Sequence, residues 1–127
     1  MEQAFQTLEK IKETLFAQTE NKVELFYKKY PIHLQGKENS TTYELCLKTK
    51  NLPHFKYRFM FIEYLENDLP ILLDIDEDII EELKLKTPTL NKTMFCNTFI
   101  EFENHIKTIL GSSKIDRVVK KLLKGEE

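Results

Sequence analysis

HFKYRFMFIEYL, His54 to Leu65, alternates with a period of two. Phe55, Tyr57, Phe59 and Phe61 fall on one side, and Lys56, Arg58, Met60, Ile62 and Tyr64 on the other. That period and the aromatic and β-branched content predict a β-strand. Its aromatic side is expected to face the core. Met60 and Tyr64 are expected on a face turned to solvent or a partner.

Upstream, Thr42 to Lys48 alternates again, with Tyr43, Leu45 and Leu47 opposite Thr42, Glu44, Cys46 and Lys48. Asn51-Leu52-Pro53 and the polar run Gly36 to Ser40 are breaks, and Ile32 to Gln35 reads as a short strand. Downstream, Glu66-Asn67-Asp68 is a tight connection and Leu69 to Ile75 an apolar run of strand length. Pro70 near its start marks an edge strand or a strand entrance. Connections this short exclude parallel crossovers, so the strands form an antiparallel meander. Lys92 to Cys96 is a candidate fifth strand.

Helical spacing flanks the strands. Ala4, Leu8, Ile11, Leu15, Thr19, Val23, Phe26 and Tyr30 step by three or four, which predicts one long helix ended by Pro31. Thr19-Glu20-Asn21 offers only a weak signal for a break. Asp74 or Asp76 is a candidate N-cap for a short helix bearing Ile79, Ile80, Leu83 and Leu85. Thr98 with Glu101 has capping-box spacing before Phe99, Phe102, Ile106, Ile109 and Leu110. Gly111 suits a helix end, and Ser113 with Asp116 opens a last helix bearing Ile115, Val118, Val119, Leu122 and Leu123. The expected fold is α+β. It has a long N-terminal helix, an antiparallel sheet of three to five strands, a short acidic helix, and two C-terminal helices packed on one sheet face.

A chain of 127 residues fits one domain, and 41% hydrophobic residues suffice for a core. A net charge of -2 disfavours nonspecific nucleic-acid binding through overall charge. Cys46 and Cys96 form no CxxC pair, which argues against a disulfide scaffold or zinc ribbon. No apolar run approaches the about 20 residues of a membrane span. Met1 to Lys10 lacks a signal h-region. The expectation is a cytoplasmic protein with no membrane association.

Charge is segregated. Asp68, Asp74, Asp76, Glu77, Asp78, Glu81 and Glu82 face only Lys84 and Lys86 in one short stretch. A calcium loop would need Gly at its sixth position and Glu at its twelfth, where this chain has Ile79 and Leu85. Glu82-Leu83-Lys84 spells the Glu-x-Lys of some nucleases, but in a predicted helix rather than a strand. His33, His54 and His105 have no HExxH spacing, and no P-loop, nucleophile-elbow or dinucleotide glycine pattern occurs. Cys46 reads as a buried hydrophobe. The last helix carries Lys114, Arg117, Lys120, Lys121 and Lys124 against Asp116. Lys48, Lys56 and Arg58, with Tyr57 or Tyr64, would extend a basic surface resembling a stacking platform for single strands.

With no catalytic or cofactor motif, the leading expectation is a non-catalytic protein-binding module: an adaptor, an immunity or antitoxin-like inhibitor, or a chaperone. Asp74, Asp76, Glu77, Asp78, Glu81 and Glu82 are its candidate partner surface, and a homodimer through the first helix is its symmetric option. The alternative is a nucleic-acid-associated accessory protein using the basic helix 113–124. A third reading is a metal-dependent enzyme built on Asp74, Asp76 or His54. No cofactor is expected.

Overall fold

The computed structural model describes residues 2–65 and 69–125. The elements are α1 (Glu2–Gln18), β1 (Val23–Tyr30), β2 (Thr41–Thr49), β3 (Lys56–Tyr64), β4 (Ile71–Ile75), α2 (Glu77–Lys84), β5 (Thr93–Cys96), α3 (Phe99–Leu110) and α4 (Ser113–Leu123). The predicted connection Glu66-Asn67-Asp68 and the chain end Glu126-Glu127 lie outside the described residues. The fold is α+β: an N-terminal helix, a five-stranded antiparallel sheet in the order β1-β2-β3-β4-β5, and three further helices.

The first helix is shorter than the periodicity predicts. It stops at Gln18, and the chain turns through Glu20 (φ 55°) and Asn21 (φ 64°). The Asn21 N–H reaches the Phe16 carbonyl at 2.7 Å and the Glu20 N–H reaches Ala17 at 3.2 Å. This is a Schellman ending with glutamate in the left-handed position that glycine usually takes. Thr19 Oγ1 then accepts the Val23 N–H at 3.0 Å and starts β1. Val23 to Tyr30 is therefore a strand, and Pro31 ends it rather than a helix. Ile32 to Gln35, expected as a strand, forms a turn.

A bulge corrects the faces of β3. Leu45 pairs with Met60 and Cys46 with Arg58, so Phe59 has no partner on β2. The extra residue shifts the alternation by one. Tyr57, Phe59, Met60 and Ile62 face the core, while Phe61 lies with Arg58 and Glu63 on the other side. Met60 and Ile62 are thus core residues, contrary to the expectation of an outward face. β4 lies between β3 and β5, so Pro70 marks a strand entrance and no edge.

All four helices pack on one sheet face. Ala4 and Leu8 of α1, Ile79 and Ile80 of α2, Phe102 and Ile106 of α3, and Ile115 and Leu122 of α4 share one core with Leu25, Leu45, Leu47, Met60, Ile62 and Leu73. Leu85, placed on the α2 stripe by the sequence, lies past the helix end and is exposed. Thr98 caps α3 by accepting the Glu101 N–H at 3.1 Å. Ser112, not Ser113, caps α4. No helix among the described residues is long and apolar enough to cross a membrane.

Candidate functional site

The acidic segment and the basic helix meet each other. Glu82, on α2, accepts the backbone N–H groups of Ser113 (2.7 Å) and Lys114 (3.2 Å) at the start of α4. Those N–H groups have no partner inside their own helix, and a carboxylate also suits the positive end of the helix dipole. The Ser113 bond is the main cause that holds the Glu82 carboxyl below its ordinary range. Asp78 stands 3.7 Å from Lys114, whose ammonium lies 5.7 Å from the Tyr57 ring centre. Asp76 caps α2 and accepts a hydrogen bond from the Tyr57 hydroxyl. Asp74 pairs with Lys92 at 2.7 Å. Glu77 and Glu81 are exposed on α2. Four of the six predicted partner-binding carboxylates therefore hold the chain's own groups.

Glu82→Ala is expected to destabilise the fold by about 1–2 kcal/mol, the usual loss for a helix cap. Glu82→Gln should lose roughly half of that, because one acceptor oxygen remains. Urea unfolding checks both, and an alanine variant as stable as its parent would mean that the interhelical cap does not form.

On α4, Lys120 pairs with Asp116 at 2.9 Å. Arg117, Lys121 and Lys124 are exposed, and among the described residues none lies within 4.0 Å of a carboxylate.

Among the described residues no helix covers the second face of the sheet, and it carries a layered set of charges and rings. Strand alternation places Phe26, Lys28, Tyr30, Glu44, Cys46, Lys48, Lys56, Arg58, Phe61 and Phe95 there. Glu44 is the deep member, its side chain 5% exposed, with Lys56 at 2.7 Å and Arg58 at 3.5 Å above it at 47% and 46%. Burial pushes the Glu44 carboxyl up, but the two cations outweigh that and leave it lowered. The Arg58 guanidinium also lies 4.6 Å from the Phe61 ring centre and 5.7 Å from Tyr30. Tyr30 and Phe61 pack at 4.8 Å, and Lys48 sits 4.3 Å over Phe26. The sequence points to Lys48, Lys56 and Arg58 but to the wrong rings, since Tyr57 and Tyr64 lie on the helix-covered face. Phe26 and Tyr30 escape notice because their segment reads as helix.

Glu63 is fully buried at the end of this face. It accepts from the Leu34 N–H (2.6 Å), Gln35 Nε2 (2.7 Å) and Thr42 Oγ1 (2.9 Å). It pins the 31–40 loop to β3. The only signal for it in the sequence is one acid inside the apolar run Phe61 to Leu65.

The polar groups near that loop do not form a nucleophile. His33 Nδ1 lies 2.9 Å from Ser40 Oγ, and that hydroxyl also lies 2.8 Å from the Lys37 carbonyl and 3.2 Å from a Glu63 carboxylate oxygen. The carboxylate contacts the serine instead of the imidazole, so the three groups do not stand in the order serine, histidine, carboxylate of an activated serine. Burial pushes the Cys46 thiol up to about 11 and the Cys96 thiol to about 12, away from thiolate reactivity. Among the described residues, no three His, Cys, Asp or Glu side chains are grouped to hold a metal ion. Comparison with known protein families, curated protein sequences and solved structures finds no match to this chain.

Proposed function

We propose that this chain is a non-catalytic binding module, that its working surface is the open face of the sheet, and that its partner is an acidic protein segment. The observation that carries this reading is the layering of charge. Glu44 is buried while Lys56 and Arg58 stand above it, half exposed. One carboxylate beneath two cations leaves positive charge directed outward, and it holds both cations in place before a partner arrives. Lys28 and Lys48 add to that field. Phe26, Tyr30, Phe61 and the edge residue Phe95, 49% exposed, supply an apolar floor. The faces of Phe26 and Phe61 already carry Lys48 and Arg58, which leaves little ring surface for stacking bases. That favours acidic side chains over a nucleic-acid strand. The acidic segment Asp74 to Glu82 enters this reading mainly as the partner of Lys92, Tyr57 and α4 within the chain.

The test is titration of the isotope-labelled protein with a peptide of alternating glutamate and phenylalanine, followed by backbone amide shifts. Shifts are expected on β1, β2 and β3. Replacing Lys48 and Arg58 together by glutamine should weaken binding at least tenfold, and added salt should weaken it further. Peptide that shifts nothing, or binds the double variant equally well, would overturn the reading.

A second reading, a nucleic-acid accessory role for α4, is favoured by exposed Arg117, Lys121 and Lys124, which lack carboxylate partners among the described residues. Oligothymidylate in the same titration tests it. Shifts confined to α4, with a steep salt dependence and loss in a Lys120→Glu/Lys121→Glu variant, would support it.

A further inference from the structure

We infer that the pocket where β1 starts and β2 ends takes a phosphate dianion, carried by a phosphorylated side chain at one end of the acidic partner segment, a step that rests on the open-face reading. The pocket is a cavity of about 230 Å³ walled by Phe16, Lys22, Glu24, Lys48, Lys50 and Pro53. That is below the roughly 300–1,000 Å³ of a typical small-molecule site, so it suits one charged group rather than a whole metabolite. Lys48 belongs to the open face as well, so the pocket continues that face at its β1–β2 end.

The lysines keep their charge unspent. The β1–β2 ladder sets Glu24 directly opposite Lys48. Glu24 nevertheless turns to Lys12 of α1, at 3.3 Å, and Lys48 lies over the Phe26 ring, 4.3 Å from its centre. One residue beyond the ladder the same register sets Lys22 opposite Lys50, and both are exposed. Among the described residues none of these three ammonium groups lies within 4.0 Å of a carboxylate. Like charges opposed across strands destabilise the pairing, and an anion seated between them removes that cost. Charge also selects the anion. Even with Glu24 counted in full, the three lysines leave a surplus of two. A phosphorylated side chain carries about 1.5 to 2 negative charges at pH 7 and presents three acceptor oxygens, one for each ammonium. A carboxylate carries one charge, which matches the surplus of one that Glu44 leaves on Lys56 and Arg58. A nucleic-acid phosphodiester also carries one charge, and the neighbouring Phe26 and Phe61 rings already hold cations. The pocket therefore fits a phosphorylated protein segment better than a nucleic-acid strand.

Amide-shift titration with two peptides tests it. One alternates glutamate and phenylalanine between flanking serines, and the other is the same peptide with both serines phosphorylated. At about pH 7 the phosphopeptide is expected to bind at least tenfold more tightly. It should also shift the Lys22, Glu24, Thr49 and Lys50 amides, which the unphosphorylated peptide leaves in place. The gain should shrink below about pH 6, where the dianion takes up a proton. Lys22→Gln/Lys50→Gln should abolish the gain and leave the affinity for the unphosphorylated peptide close to the parent's. Both side chains are exposed, and removing two opposed charges should leave the urea midpoint equal or higher. An unphosphorylated peptide that shifts nothing overturns the open-face reading, whatever the phosphorylated one does. A phosphopeptide no tighter than its parent, a gain that survives the double variant, or oligothymidylate that shifts the same four amides as strongly overturns the phosphate pocket itself.

Discussion

Glu63→Ala is expected to destabilise the fold by about 3 kcal/mol. The carboxylate is fully buried and accepts from Leu34 N–H, Gln35 Nε2 and Thr42 Oγ1, with Ser40 Oγ 3.2 Å away. Removing it leaves those donors without their acceptor in a site that water does not reach, and each hydrogen bond to a charged group contributes about 1.5–3 kcal/mol before relaxation. Relaxation is easy here, because three of the donors belong to the 31–40 loop or its end, which can lift away. That brings the loss below the sum of the separate bonds, to about 3 kcal/mol. Urea unfolding should show a lower midpoint with an unchanged slope. Protease should then cut near Lys37 sooner than in the parent. The pH dependence has a definite sign. Burial alone would raise the Glu63 carboxyl, but the hydrogen bonds from Gln35, Thr42, Leu34 and Ser40 outweigh it, so the folded value lies below the ordinary 4.5. A lowered carboxylate contributes stability that is complete above its unfolded value and is lost as pH falls through the folded one. The gap between the parent and Glu63→Gln should therefore be constant at neutral pH and shrink below about 4.5. A Glu63→Ala midpoint equal to the parent's would show that the buried cluster does not hold the loop.

Much of the architecture is legible in the chain because its signals are local. Thr42 to Lys48 alternates cleanly and forms β2, and Thr98 and Asp76 cap the helices they precede. The first helix is misjudged because two periods overlap. Val23 and Phe26 extend a three-and-four stripe that began at Ala4, yet Val23, Leu25 and Tyr27 also alternate. The stop between them rests on Glu20 in a left-handed conformation, where glycine would have announced it. The site is less legible. Acidic and basic runs show as composition, but the bond from Glu82 to the start of α4 spans 31 residues. Nothing in either run states that they are partners. The open face combines residues from β1, β2, β3 and β5, so one misread strand hides half of its rings.

Phe59→Ala is expected to cost about 4 kcal/mol, and the contrast with Phe61→Ala is what gives that number meaning. Both residues sit on the same side of the sequence alternation, and a regular strand would bury them equally. The bulge separates them. Phe59 is fully buried among the core residues, and its carbonyl accepts the Asp76 N–H at 2.9 Å, which fixes the start of α2. Truncating a fully buried phenylalanine commonly costs 3–5 kcal/mol through lost transfer energy and the cavity left behind. Phe61 is half-buried on the open face, against Tyr30 and beneath Arg58. Its truncation removes less apolar burial and leaves no closed cavity, so about 1–2 kcal/mol is expected. A native state of this size has roughly 5–15 kcal/mol in hand, so Phe59→Ala should still fold while unfolding at markedly lower urea. The two variants bear oppositely on binding. Phe61→Ala should weaken the acidic peptide by removing the floor beneath Arg58, whereas Phe59→Ala should bind normally wherever it remains folded. Equal losses of stability would place both rings on one face and remove the bulge on which the open surface depends.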